Sequence, residues 1–254
     1  MDPAQRVLVT GVATGIGRAI AERLTADGYA VLGLDIDAAV PDGLAGFAQA
    51  DVTDPAATRA ALARLLEGGP ITRLVNNVGS SRREYIADAT AETQRWLVRL
   101  NLGSAMLCVQ AVLPGMRAAG FGRIVNITSR AVFGRETRSA YAATKAALAA
   151  LTRSWAREFA AAGITCNAVG PGMINTDLFR RNNPADAPDV TRLTGGVPMR
   201  RIGEPAEIAQ AVAHFLEARS SYVTGQMLFV CGGLSLGPLE PGRNAELEAA
   251  DRLG

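Results

Sequence analysis

Lysine is almost missing from this chain. Of 26 basic residues, 25 are arginine and Lys145 stands alone. An ammonium written at one place marks a position that calls for a compact charge on a flexible stem, not a planar fork. Histidine is equally scarce: the lone His214 excludes a His-rich metal cluster and argues against a Ser/His/Asp triad, so no metal is expected. Three cysteines, Cys108, Cys166 and Cys231, cannot all pair and show no CxxC spacing. Each sits in an apolar run and reads as a small buried hydrophobe in a reducing compartment. A dominant charge is lacking too. The formal net charge is +2 and the basic residues are scattered, so neither nucleic acid nor a membrane surface is expected as a partner. No run of about 18 uncharged apolar residues suggests a membrane span. The first residues lead straight into Val7-Leu8-Val9 without the basic and apolar regions of a signal peptide. A cytoplasmic location is the resulting expectation.

What is present is core-forming material. The chain has 254 residues, of which 48% are hydrophobic, enough for one sizeable domain spanning 1–254. Apolar, β-branched runs predict strands over 6–10, 30–35, 47–50, 73–76, 123–128, 163–169 and 226–230. Helical periodicity predicts helices over 15–27, 55–67, 91–118, 140–162 and 204–217. Alternating strands and helices, with continuous apolar strands, imply an α/β fold: a parallel sheet covered by helices on both faces. The segment 175–201 is long for a connection and is a candidate lid. The stretch 236–254, rich in Gly, Pro and charge, reads as a tail.

The first strand runs into Thr10-Gly11-Val12-Ala13-Thr14-Gly15-Ile16-Gly17, and a helix follows. Glycines allow a tight turn and close approach of backbone to a pyrophosphate. The helix N-terminus offers free N–H groups to the phosphates. Asp35 closes the second strand, where a carboxylate can accept hydrogen bonds from ribose hydroxyls and repel a 2′-phosphate. No Lys or Arg lies among Val12–Thr14 to receive such a phosphate, so NAD is expected rather than NADP.

Tyr141 and Lys145 are four residues apart on a predicted helix and share a face. Ser129 ends the preceding strand. Taking a hydride from a carbinol carbon needs a base for the hydroxyl proton, and the reverse needs an acid. A phenol is a poor base at neutral pH, with an ordinary pKa of about 10. A nearby ammonium favours the phenolate, and Ser129 can hold the substrate oxygen.

With these residues in place, the chain resembles the short-chain dehydrogenase/reductase family over about residues 6–235. The motifs occur in the family's order: Thr10-Gly-x-x-x-Gly-Ile-Gly17, Asn76-Asn77-Val78-Gly79, Ser129 with Tyr141-x-x-x-Lys145, and Pro171-Gly172 before Thr176. The resemblance implies a Rossmann-type, doubly wound, seven-stranded parallel sheet. It implies Asn101 as a fourth catalytic residue, whose backbone carbonyl holds a water linking Lys145 to solvent. It places Asp51 and Val52 beside the adenine, Asn77 and Gly79 next to the cofactor, and Ile174 and Thr176 at the nicotinamide carboxamide. Lys145 would also bond the nicotinamide ribose. A homotetramer or homodimer is implied, built on the helices carrying Met106, Leu107, Val109 and Leu113, and Leu148, Leu151 and Trp155.

The chain departs from the family pattern at several places. Val78 stands where Ala is usual, and Cys231 where many relatives carry Asp. The Ser-to-Tyr interval is one residue short, which Thr128 would restore; Ser129 fits the strand-end position better. Arg82, Arg83, Arg130, Arg135, Arg138, Arg180 and Arg181 fall in segments expected to build the substrate pocket. Surface solubility accounts for them, and an anionic substrate would too. Three functions are compatible with the sequence. The first is NAD-dependent interconversion of a small-molecule secondary alcohol and ketone. The second is an NADP-linked 3-oxoacyl-carrier-protein reductase, and the third a non-catalytic nucleotide sensor on the same fold.

Overall fold

A computed structural model describes residues 5–182 and 194–237. Its seven strands are β1 (Arg6–Thr10), β2 (Ala30–Asp35), β3 (Gly46–Gln49), β4 (Arg73–Asn76), β5 (Gly122–Ile127), β6 (Ile164–Pro171) and β7 (Met227–Val230). They form one sheet in the order β3-β2-β1-β4-β5-β6-β7, and every pairing is parallel. All residues of β1, β2, β4, β5 and β6 are buried. Burial on both faces is why these strands are continuous apolar runs and not alternating ones.

Successive side chains point to opposite faces, so Val7 and Val9 join one core and Leu8 the other. The first core packs under α1 (Gly15–Ala26), whose Ile20 and Leu24 are fully buried. The second lies under α2 (Pro55–Leu66), where Leu62 meets Leu8, Leu32 and Leu74. Asp54 starts α2 by accepting from the Ala56 and Ala57 amides at 2.8 and 3.2 Å, with Pro55 in the first turn.

The helix expected over 91–118 is continuous but not uniform. It comprises α3 (Ala91–Val98), a π turn (Arg99–Gly103) and α4 (Ser104–Ala119). At the turn the Ser104 amide bonds the Arg99 carbonyl, five residues back. By length and composition, 91–119 could cross a membrane, with a mean hydropathy of 1.4 in its most apolar window. Its apolar face has another use here: Cys108, Val112 and Met116 are buried in the second core. Further on come α5 (Ser139–Phe159), α6 (Asp177–Asn182) and α7 (Pro205–Leu216). α5 adds Leu148, Trp155 and Phe159 to the second core, and α7 adds Ile208, Val212 and Phe215 to the first.

The N-terminal ends of three strands each carry an arginine that binds backbone carbonyls. Arg6 reaches Leu65 at 2.8 Å and also Gly69, at the end of α2. Arg73 reaches Leu216 at 2.9 Å, and Arg123 reaches Gly122 at 2.7 Å and Ala218 at 3.0 Å. These cations satisfy the carbonyls and dipoles left at helix C-termini.

Chain order reverses at β1, which has β2 on one side and β4 on the other. The carboxyl ends of β1 and β4 therefore border a crevice at the topological switch point. Of the irregular segment 175–201, residues 183–193 lie outside the described residues, as do residues 238–254 of the tail. One expectation about cysteine is corrected. Cys108 and Cys166 are buried, but Cys231 is half-exposed, with its thiol 3.2 Å from the Ser235 hydroxyl.

Candidate active site

A cleft of about 520 Å³ opens at the switch point. At one end lie Gly11, the run Thr14 to Gly17, Asp35, Asp51 and Val52. Asn77, Gly79, Pro171, Gly172, Ile174 and Thr176 form the walls, and Ser129, Tyr141 and Lys145 the far end. Of the expected catalytic and cofactor residues, Asn101 alone is not on the surface of this cleft but behind it; of the seven arginines, Arg135, Arg138 and Arg181 line it, and Arg82, Arg83, Arg130 and Arg180 do not.

The glycine loop is shaped to admit a diphosphate. Gly11 takes a left-handed φ of +74°, and a Cβ on Gly17 would lie 1.8 Å from the Gly11 carbonyl oxygen. Loop and helix thus touch as no side chain would allow. Thr14, at the N-cap of α1, makes no side-chain capping bond, and the first turn holds no acidic residue. The leading amides of α1 are left to a ligand, and their dipole favours an anion. That vacancy is the observation by which this cradle fits a dinucleotide.

Sequence reading passed over Thr10 as a working residue. Its hydroxyl accepts from the Asn77 and Val78 amides at 3.0 and 3.1 Å. Asn77 answers by donating to the Thr10 and Gly11 carbonyls at 2.9 and 3.1 Å. The signal was Thr10's place at the head of the glycine motif. Asp35 is 8% exposed, and its carboxylate accepts from the Ala13 amide at 2.8 Å and the Asp37 amide at 3.0 Å. It fixes the loop and keeps lone pairs for a ligand. Asp51 and Thr176 also serve locally, accepting from Thr53 at 2.8 Å and from the Phe179 amide at 3.1 Å.

At the far end, Ser129 caps a short 3₁₀ turn (Arg130–Phe133), and its hydroxyl accepts from the Ala131 amide at 3.1 Å. It lines the cleft together with the Tyr141 phenol. Thr128 is buried and its hydroxyl donates to the Val169 carbonyl at 2.9 Å, so its proton is already committed. Burial pushes the Tyr141 phenol up from its ordinary value; the Ser129 hydrogen bond and the guanidiniums of Arg138 and Arg135 pull it back down.

Lys145 is 3% exposed, and its ammonium donates to the Ile127 carbonyl at 2.8 Å. Burial pushes it down to about 8. The guanidiniums of Arg138 and Arg135 thus act on the Tyr141 phenol as well, cations the sequence did not single out for it. A Cβ on Gly79 would lie 2.9 Å from the Lys145 Nζ and 3.1 Å from the Asn101 Oδ1, so both side chains converge there. Asn101 sits in the π turn. It accepts from the Ser80 amide at 2.9 Å and donates to the Ser80 carbonyl at 3.0 Å and the Thr144 hydroxyl at 3.1 Å. Thr144 passes this on to the Tyr141 carbonyl at 2.8 Å, a link the sequence did not advertise. Among the described residues no group of three His, Cys, Asp or Glu side chains could hold a metal.

A doubly wound sheet with a phosphate cradle at its switch point, facing a Ser–Tyr pair, defines a dinucleotide-binding oxidoreductase fold. Comparison with known proteins agrees. The family profile described as enoyl-(acyl carrier protein) reductase matches residues 11–235. The 3-oxoacyl-[acyl-carrier-protein] reductase MabA of Mycobacterium tuberculosis is 35% identical over 236 residues, covering 92% of this chain and 94% of that protein. The ligand-free aldohexose dehydrogenase of Thermoplasma acidophilum superposes with a TM-score of 0.88 at 33% identity, covering 94% of this chain and 97% of the other. A gluconate 5-dehydrogenase of Burkholderia cenocepacia, solved with NADP and tartrate, gives 0.86 at 34% identity, covering 92% and 96%. The chain belongs to the short-chain dehydrogenase/reductase family, oxidoreductases that use NAD(P).

Proposed function

We propose that this protein interconverts a secondary alcohol and its ketone with NAD(H), with Tyr141 as the acid/base. The carrying observation is that Ser129, Tyr141 and Lys145 line the same cleft as the glycine loop and the uncapped start of α1. A bound nicotinamide dinucleotide would supply the hydride acceptor or donor. Ser129 donates to the substrate oxygen and fixes it. In oxidation the hydroxyl proton passes to the Tyr141 oxygen as the carbonyl forms; in reduction Tyr141 returns it. Lys145 steadies the cofactor ribose and adds positive charge near the phenol. Asn101 holds the Ser80 and Thr144 sides of the cleft together, and its backbone carbonyl would seat a relay water. NAD is our assignment because the Asp35 carboxylate faces the cleft and would repel a 2′-phosphate. The Burkholderia relative holds NADP, so cofactor choice rests on this residue and not on kinship.

We also assign the whole chain to one dinucleotide-binding and catalytic unit working in the cytoplasm as a homotetramer. Val109, Leu148 and Trp155 are spent inside the subunit. Met106, 41% exposed, and the half-exposed Leu107 remain for a partner. The name of the mycobacterial relative favours a carrier-protein thioester as an alternative substrate, against which Asp35 argues through the cofactor.

The decisive variant is Tyr141→Phe. NADH binding, followed by fluorescence, is expected to persist while turnover falls at least 100-fold, in line with loss of a general acid/base at about 10²–10⁴-fold. Undiminished turnover would remove Tyr141 from the mechanism.

A further inference from the structure

Arg135 and Arg138 line the Tyr141 end of the cleft, away from the glycine loop and Asp35. Arg138 is 6% exposed, and its guanidinium donates to the Ser81 hydroxyl. Among the described residues, no carboxylate pairs with either arginine. This sets them apart from Arg18, Arg23, Arg180, Arg201 and Arg219, which pair with Asp or Glu at the surface. They also differ from the buried Arg6 and Arg123, which are committed to backbone carbonyls. Glu84, on the neighbouring loop, forms no ion pair with them, and Glu136 between them is exposed.

A cation taken out of water without a counter-charge is costly. Here the buried Arg138 and the exposed Arg135 face one cavity and repel each other, and Arg130 and Arg83 add to that repulsion on Arg135. The backbone is bent to achieve this. Thr137 takes a left-handed φ of 60°, which a β-branched residue rarely adopts. Its carbonyl is held by the Glu84 amide at 2.9 Å, and the Arg138 amide closes the turn onto the Arg135 carbonyl at 3.2 Å. Strain of this kind persists where the surroundings impose it, and it gathers at ligand sites.

We propose that the substrate carries an anionic group, a carboxylate or a phosphate ester, seated between Arg135 and Arg138 while its carbonyl meets Ser129 and Tyr141. The substrate supplies the missing counter-charge, and guanidinium forks bind such oxyanions in pairs of hydrogen bonds. The anion also orients the reacting carbon relative to the two hydroxyls. This assignment names the substrate class for the reaction proposed above and rests on that reading of the cleft.

The test uses the full-length protein with NADH and two sets of matched ketones: oxo acids of increasing chain length against their methyl esters, and hydroxyacetone phosphate against hydroxyacetone. Wild type is expected to favour the anionic member by at least tenfold in kcat/KM, and the favoured set tells carboxylate from phosphate. Arg135→Gln alters an exposed side chain and should fold. It is expected to lower the anionic-to-neutral ratio by about 10- to 100-fold, the range for a charge-assisted hydrogen bond. Arg138→Gln should act in the same direction. Calorimetric binding of the same compounds to the NADH-loaded protein separates the two readings. Anion-selective binding without turnover keeps the arginine seat and removes the oxidoreductase assignment; turnover without selectivity does the reverse. Equal losses for charged and neutral ketones in Arg135→Gln, with a shifted pH profile, would reduce these arginines to tuners of the phenol and overturn the proposal. So would the absence of selectivity in every arm.

Discussion

Lys145 is the chain's single lysine, so its titration can be isolated as few buried lysines can. Burial pushes its pKa from 10.5 down to about 8. In the unfolded chain the amine holds its proton to about pH 10.4. Between these limits the unfolded state binds one more proton than the native state, so stability rises with pH across that window. At about 1.4 kcal/mol per pH unit, the full rise is about 3 kcal/mol, most of it gained by about pH 10. Cys108 and Cys166 act in the opposite sense, because burial raises their thiols. They remain in both proteins when wild type is compared with Lys145→Met. Urea unfolding of the pair at half-unit steps from about pH 7 to 10 is therefore read as a difference. That difference, wild type minus variant, should climb by about 2–3 kcal/mol. A flat difference would mean that the ammonium is no harder to hold inside the protein than outside. A falling one would mean that the site stabilises it.

Three other expectations concern the cradle and the core. Gly17→Ala places a methyl 1.8 Å from the Gly11 carbonyl oxygen; NADH affinity by fluorescence titration should fall at least 100-fold, and retained affinity would refute the cradle. Asp35→Ser keeps an acceptor for the Ala13 amide but removes the charge. The NADPH-to-NADH ratio of kcat/KM should rise at least tenfold, and an unchanged ratio would show that Asp35 does not set cofactor choice. Leu74→Ala empties a fully buried position in the sheet. It should cost about 3 kcal/mol, or about 6–12 °C in Tm by calorimetry.

The sheet was legible because strands buried on both faces are written largely as apolar runs, and because helices separate most of them in the chain. Even the edge strand β3, expected over 47–50, is displaced by one residue only. The π turn was not legible: Arg99 to Gly103 reads as ordinary helix, and only its place behind the cleft gives Asn101 its partners. Ser129 and Thr128 were neighbours with similar chemistry, and the Val169 carbonyl, 41 residues away, separates them. Arg138 looked like one arginine among 25. Its burial depends on a loop that reaches it from residues 81–84, a contact no local pattern records. The burial of Lys145 was hidden for a related reason. Spacing puts Lys145 on the same helix face as Tyr141, but its depth of burial is a property of the folded surroundings.

The three arginines at the N-terminal ends of β1, β4 and β5 bear on how this enzyme could be altered. A guanidinium keeps its proton at any working pH, so this rim presents the same charge in mild acid and in mild base. Lys145, which burial pushes down to about 8, lies at the opposite rim. Thermal endurance and acidity response are thus housed at separate ends of one sheet. Changes around Arg6, Arg73 and Arg123 should move the melting point and leave the pH–rate curve where it was.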